Sequence, residues 1–104
     1  MIYPESKYTL KAYLELGKIY SKDKKWNKAL SFFKQIVEQF SQSEFCADIY
    51  FRMADIIQFK TNDKKKALPV YRELIEKYPE SSWVKYAQMR IKELEEELAK
   101  QEDN

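Results

Sequence analysis

Tyr78-Pro79-Glu80-Ser81-Ser82-Trp83 occurs in this chain in three versions. The other two are Tyr3-Pro4-Glu5-Ser6-Lys7-Tyr8 and Phe40-Ser41-Gln42-Ser43-Glu44-Phe45, so equivalent residues lie 37 and then 38 positions apart. Each copy holds an aromatic, a turn of Pro, Ser or acidic residues, and a second aromatic five positions after the first. A fixed spacing of this length is the mark of a chain built from stacked repeats. Pro stops a helix and Ser starts one, so the hexapeptide reads as a junction between helices.

Outward from the junctions, the apolar residues recur at three and four, the period of amphipathic helices. Tyr8, Ala12, Tyr13, Leu16, Ile19 and Tyr20 stripe a first helix from Ser6, its N-cap, to about Ser21. Trp26, Ala29, Leu30, Phe33, Ile36, Val37 and Phe40 stripe a second, across the polar turn Lys22-Asp23-Lys24-Lys25. A turn so short makes the pair an antiparallel hairpin. Ile49, Tyr50, Met53, Ala54, Ile56 and Ile57 then mark a third helix, begun near Ser43, and Ala67, Leu68, Val70, Tyr71, Leu74, Ile75 and Tyr78 a fourth, begun near Asp63. Gly17 to Ala54 spans 37 residues but Ala29 to Ala67 spans 38, which places one extra residue in the turn between Phe59 and Asp63. Pro69 falls inside the fourth helix and is expected on its outer face with a slight kink. Ser81 or Ser82 caps a fifth helix, running through Val84, Ala87, Ile91, Leu94 and Leu98 to about Ala99.

Composition agrees with this reading. The chain has 104 residues, 44% of them hydrophobic and 15% aromatic, which is enough to fold as one domain. One Gly and three Pro leave little punctuation for strands and hairpins, and a formal charge of +2 implies no electrostatic partner. Charged residues interrupt residues 1–20, so they form neither a signal peptide nor a membrane span.

Catalysis lacks its parts. There is no His, a single Cys and a single Gly, which removes triads, His or Cys metal sites and glycine-rich phosphate loops. Glu93, Glu95, Glu96 and Glu97 read as a solvated helix face rather than an acid–base pair or cation site. Cys46 reads as a small buried side chain. No cofactor and no metal are expected.

These residues resemble the tetratricopeptide repeat family, whose pattern is aromatic-x2-Leu-Gly-x2-Tyr, then Ala-x3-Phe, then Pro. It appears as Tyr13, Leu16, Gly17, Tyr20, Ala29 and Phe33, with Ser41 at the Pro position. The second copy is Tyr50, Met53, Ala54, Ile57, Ala67 and Tyr71, with Pro79 in place. Gly17, Ala54, Ala29 and Ala67 are small because the helices of each hairpin touch there. In the third copy Lys92 and Glu95 replace Gly17 and Tyr20, so residues 83–99 read as a capping helix with one polar face.

The resemblance implies an all-α, right-handed helical-hairpin solenoid of five helices: two repeats, 8–44 and 45–82, a capping helix at 83–100 and a frayed tail at 101–104. Residues 1–7 match the end of a preceding repeat, so the chain is expected to be part of a longer protein. The Tyr-Pro-x-Ser-x-aromatic junctions are most similar to the bacterial cell-envelope branch, the outer-membrane-assembly lipoproteins and Tol-Pal-associated periplasmic proteins. Membership of that branch implies the periplasm; without it, the cytoplasm.

In this family the first helix of each pair lines a concave groove. The resemblance thus implies non-catalytic protein–protein interaction, with a peptide or partner protein held by Leu14, Lys18, Phe51, Arg52, Asp55, Phe59, Tyr86, Met89 and Arg90. The chaperone-type carboxylate clamp is not expected, because only Arg90 matches its basic positions. Two rivals stand beside the groove. Ile91, Leu94 and Leu98 form a heptad seam, with Leu94 and Leu98 left beyond the body for a homodimer. Lys22, Lys24, Lys25, Lys64, Lys65 and Lys66 form basic hairpin tips for a polyanion, nucleic acid or anionic lipid; no aromatics interleave them, which disfavours nucleic acid.

Overall fold

The computed structural model describes residues 7–102. They form five α-helices: α1 Lys7–Lys22, α2 Trp26–Gln39, α3 Cys46–Asp55, α4 Lys64–Lys77 and α5 Val84–Glu102. A π-helical segment, Ile56–Lys60, continues α3, and no strand occurs among the described residues. The Ser6 cap and the Tyr3-Pro4 turn lie outside them. The chain divides into two compact units, Met1–Ile49 and Tyr50–Asn104.

In the first unit α1 and α2 pack as a hairpin. Their contact is close because Gly17 has no side chain: a Cβ there would stand 2.5 Å from Cε1 of Phe33. Ala29, Phe33 and Ile36 are wholly buried. Phe32, absent from the expected stripe, stacks on Tyr20 at 5.6 Å between centroids and lies 6.1 Å from Tyr13. Tyr8, Ala12 and Ile19 were expected on the packed stripe and are instead exposed. Cys46 is buried, and its Sγ donates to the Phe40 carbonyl at 3.0 Å.

In the second unit α4 packs on α5 and on the π-helical segment. Ala54, Ala67, Tyr71, Leu74, Ala87 and Leu94 are wholly buried. Pro69 is exposed at the sixth residue of α4, which continues through it. The last helix passes Ala99 and includes Gln101 and Glu102, beyond its expected end.

Both hairpin turns are closed by one device. The N–H of the residue before the second helix donates to the carbonyl at the last aromatic or aliphatic position of the repeat pattern: Lys25 to Tyr20 at 2.9 Å, and Asp63 to Ile57 at 2.9 Å. A left-handed residue precedes each donor, Lys24 at φ 60 and Asn62 at φ 58. The second closure spans one residue more, and the Thr61 N–H reaches the Ile56 carbonyl at 3.0 Å in the i−5 pattern of a π turn. The extra residue expected in the loop is thus wound into the helix.

The junctions also match bond for bond. Ser43 N–H donates to Phe40 O at 2.8 Å and Ser81 N–H to Tyr78 O at 3.0 Å. The Ser hydroxyls accept from the N–H groups of Phe45 at 3.2 Å and Trp83 at 3.1 Å. Ser43 and Ser81 therefore shape the turn one step ahead of the helix. The aromatic itself precedes the first helical residue, its carbonyl accepting from Ile49 at 3.0 Å or Ala87 at 2.9 Å.

Candidate functional site

The second unit brings three of the expected groove residues, Asp55, Phe59 and Arg90, into contact and carries two more, Tyr86 and Met89, on the helix of Arg90. Asp55 ends α3, Phe59 lies in the π-helical segment, and Tyr86, Met89 and Arg90 share one face of α5 at spacings of three and four. Winding the extra residue into the helix buries three consecutive side chains, Ile56, Ile57 and Gln58, and leaves Phe59 outside.

Arg90 is the hub. Its guanidinium lies 5.0 Å above the Phe59 ring and 5.7 Å from the Phe51 ring. Its Nε is 3.4 Å from Asp55 Oδ1, and its Nη1 is 3.8 Å from Glu93 Oε2. Asp55 Oδ1 in turn accepts from the Tyr71 hydroxyl at 2.6 Å, with Gln58 Oε1 2.9 Å from the same hydroxyl. Burial first, and then the bond to Asp55, hold the Tyr71 phenol well above its ordinary pKa. An arginine with one edge paired and its face stacked keeps few rotamers, and about a third of the side chain stays exposed.

Phe59 beneath it is 54% exposed, and Tyr86 and Met89, earlier on the same helix, are 46% and 59% exposed. Tyr86 leans on Trp83 at 5.7 Å between centroids. Phe51 does not join this surface. It is nearly covered by Trp83 at 4.9 Å and Tyr71 at 5.4 Å, so its ring serves as packing beneath Arg90. Arg52 is half-buried. Leu14, half-buried, and Lys18, exposed and 3.9 Å from Glu15, belong to the first unit.

Sequence patterning gave no notice of the polar network. Tyr71 reads as an apolar stripe residue, and Gln58 has no feature to set it apart, yet Gln58 is 4% exposed. Only its place beside two buried isoleucines hints at an inward side chain.

The other expected sites are distributed differently. In the seam, Ile91 and Leu98 are half-buried but Leu94 is wholly buried, so Leu94 is not left beyond the body: α4 and α5 pack along each other far enough to cover it. At the tips, Lys22, Lys24 and Lys25 are exposed on the first turn, with Lys65 and Lys66 exposed on the second. Lys64 is held by Glu97 at 2.9 Å. Elsewhere Lys77 donates to Tyr50 at 3.2 Å and pairs with Glu73 at 2.8 Å; the Glu73 bond, then Tyr50, raises its pKa. No helix among the described residues is long and apolar enough to cross a membrane.

A family model described as tetratricopeptide repeat matches residues 11–43 and 48–81, more than half of the chain. No curated protein matches the sequence. The first match takes in most of the α1–α2 hairpin, the second most of α3, the π-helical segment and α4, and the small residues of both, Gly17 and Ala29, Ala54 and Ala67, are buried. The chain belongs to the tetratricopeptide repeat family.

Proposed function

We propose that this protein is a non-catalytic interaction module that holds a peptide segment of a partner protein on the Phe59, Tyr86, Met89 and Arg90 surface. Tetratricopeptide repeats are in general protein–protein interaction modules, and the family is in general a non-catalytic scaffold. One observation carries the finer reading: Phe59 stands about half exposed beneath an arginine that the fold already holds in place, and Tyr86 and Met89, about half exposed as well, lie on the same helix as that arginine. Aromatic and arginine anchors dominate peptide interfaces. A side chain ordered beforehand also saves about 0.5–1.5 kcal/mol of conformational entropy when a partner docks. The surface suits a segment with a large apolar residue beside a carboxylate, the latter meeting the exposed part of Arg90.

The test is a displayed peptide library selected on the immobilised protein. Selected peptides should combine a large apolar residue with Asp or Glu. Phe59→Ala with Met89→Ala should weaken them at least tenfold, and Arg90→Lys should weaken mainly the acidic ones. Binding that survives both but falls with Lys65→Glu and Lys66→Glu would transfer the site to the basic tip.

A further inference from the structure

Three acids of α5 divide by partner. Glu95 reaches Arg72 of α4 at 3.0 Å and Glu97 reaches Lys64 at 2.9 Å, so both tie α5 to the helix it packs on. Glu93 turns the other way: its Oε2 lies 3.8 Å from Nη1 of Arg90, three residues earlier on the same helix.

Arg90 therefore sits between two carboxylates, and the fold holds them unequally. Asp55 Oδ1 is 3.4 Å from Nε and also accepts the Tyr71 hydroxyl at 2.6 Å; Tyr71 is wholly buried, so Asp55 is tied to the core. Glu93 is 53% exposed, and its contact with Arg90 is too long for a hydrogen bond. An exposed ion pair of that length is weak and opens readily. The Phe59 and Phe51 rings lie against the guanidinium and Asp55 lies beside Nε, which leaves the Nη1 edge for a ligand. Glu93 stands at that edge. Charge counting adds to this: one guanidinium against Asp55 and Glu93 leaves one negative charge in excess, which opposes a further carboxylate while Glu93 stays in place.

We propose that Glu93 is a specificity-determining residue of the Arg90 surface: its carboxylate stands on Nη1 where the carboxylate of a partner segment would bind, and an acidic segment must displace it. The proposal rests on the reading of that surface as a peptide site. Displacement moves only an exposed side chain and leaves Asp55 holding Arg90. An incoming acid gains the difference between its own contact and that of Glu93, so a carboxylate set squarely on the guanidinium is favoured over one merely nearby. A neutral segment leaves Glu93 where it is. Glu93 in this way restrains the preference for acids and leaves more of the selection to the apolar contacts.

Phenylacetate and phenylacetamide test this, since they share a ring and differ in charge. Each is titrated into the protein and followed by the Nε–H resonance of Arg90. The ratio of affinities, acid over amide, should rise about two- to fivefold in Glu93→Gln, the range that an exposed ion pair spans. Glu95→Gln removes the same charge two residues along α5 and should leave the ratio at its original value. Circular dichroism and urea unfolding of both variants separate these effects from a damaged fold. A ratio that fails to rise in Glu93→Gln, or that rises as much in Glu95→Gln, overturns the role of Glu93 while the peptide-site reading stands. If neither probe moves the Arg90 resonance in the original protein or in either variant, the reading of the surface falls and the proposal falls with it.

Discussion

The Phe33 ring lies against Gly17, where a Cβ would stand 2.5, 2.8 and 2.9 Å from three of its carbons. Phe33 is wholly buried, so the ring has no open space to move into. Alanine is normally the better helix residue by about 1 kcal/mol. Here the overlap reverses that preference: Gly17→Ala should lower stability by about 1–3 kcal/mol. Denaturant unfolding of Gly17→Ala, Phe33→Leu and the double variant checks it. The double variant should be more stable than the sum of the single losses.

Tyr71 binds its proton more tightly in the folded chain than in the unfolded one, because burial and Asp55 both oppose the phenolate. A raised pKa contributes stability that is whole below the ordinary phenol value, about 10, and is lost as the pH climbs past it. Tyr71→Phe should cost about 1–2 kcal/mol at neutral pH through the lost hydrogen bond to Asp55. Measured by urea unfolding from pH 8 to 11, that difference should stay level to about pH 9.5 and then shrink. A difference that grows with pH would mean that Tyr71 is ionised in the fold.

Lys24 and Asn62 hold left-handed backbone at the two hairpin turns, with φ of 60 and 58. Side chains with a Cβ resist this region, asparagine less than lysine. Lys24→Gly should therefore raise stability by about 0.5–1 kcal/mol, and Asn62→Gly by less. Thermal unfolding of each variant reads the order directly; a larger gain at residue 62 would contradict it.

Leu94 is wholly buried and Leu98 half-buried on the same helix. Leu94→Ala should destabilise by about 2–5 kcal/mol by emptying a packed position, and Leu98→Ala by about 1 kcal/mol or less. Sedimentation of Leu98→Glu tests what remains of the seam, since Leu94 is spent inside the unit. An unchanged mass retires the homodimer reading, and a fall in mass restores it.

Much of this molecule was legible in its sequence because the relevant forces are local. Apolar residues at three and four specify helices, and short polar stretches specify tight turns. Two copies of a small-residue pattern specify where helices of a hairpin touch. The number and order of helices, the family, and the burial of Cys46 follow from that. Even the odd residue between Ala54 and Ala67 was visible as arithmetic.

Where that residue went was decided by tertiary structure. The Asp63 to Ile57 closure fixes both ends of the turn, so the surplus winds into the Ile56–Lys60 π segment, and this turns Phe59 outward and Gln58 inward. Phe51 and Leu94 show the same limit. Each looked surplus when only its own helix was counted; Trp83 and Tyr71 cover the first, and the length of the α4–α5 contact covers the second. Periodicity states which side chains share a face, but burial depends on what arrives from elsewhere in the chain. Arg90, placed by Asp55, Phe51 and Phe59 from a different helix, is part of a cluster that only folding could assemble.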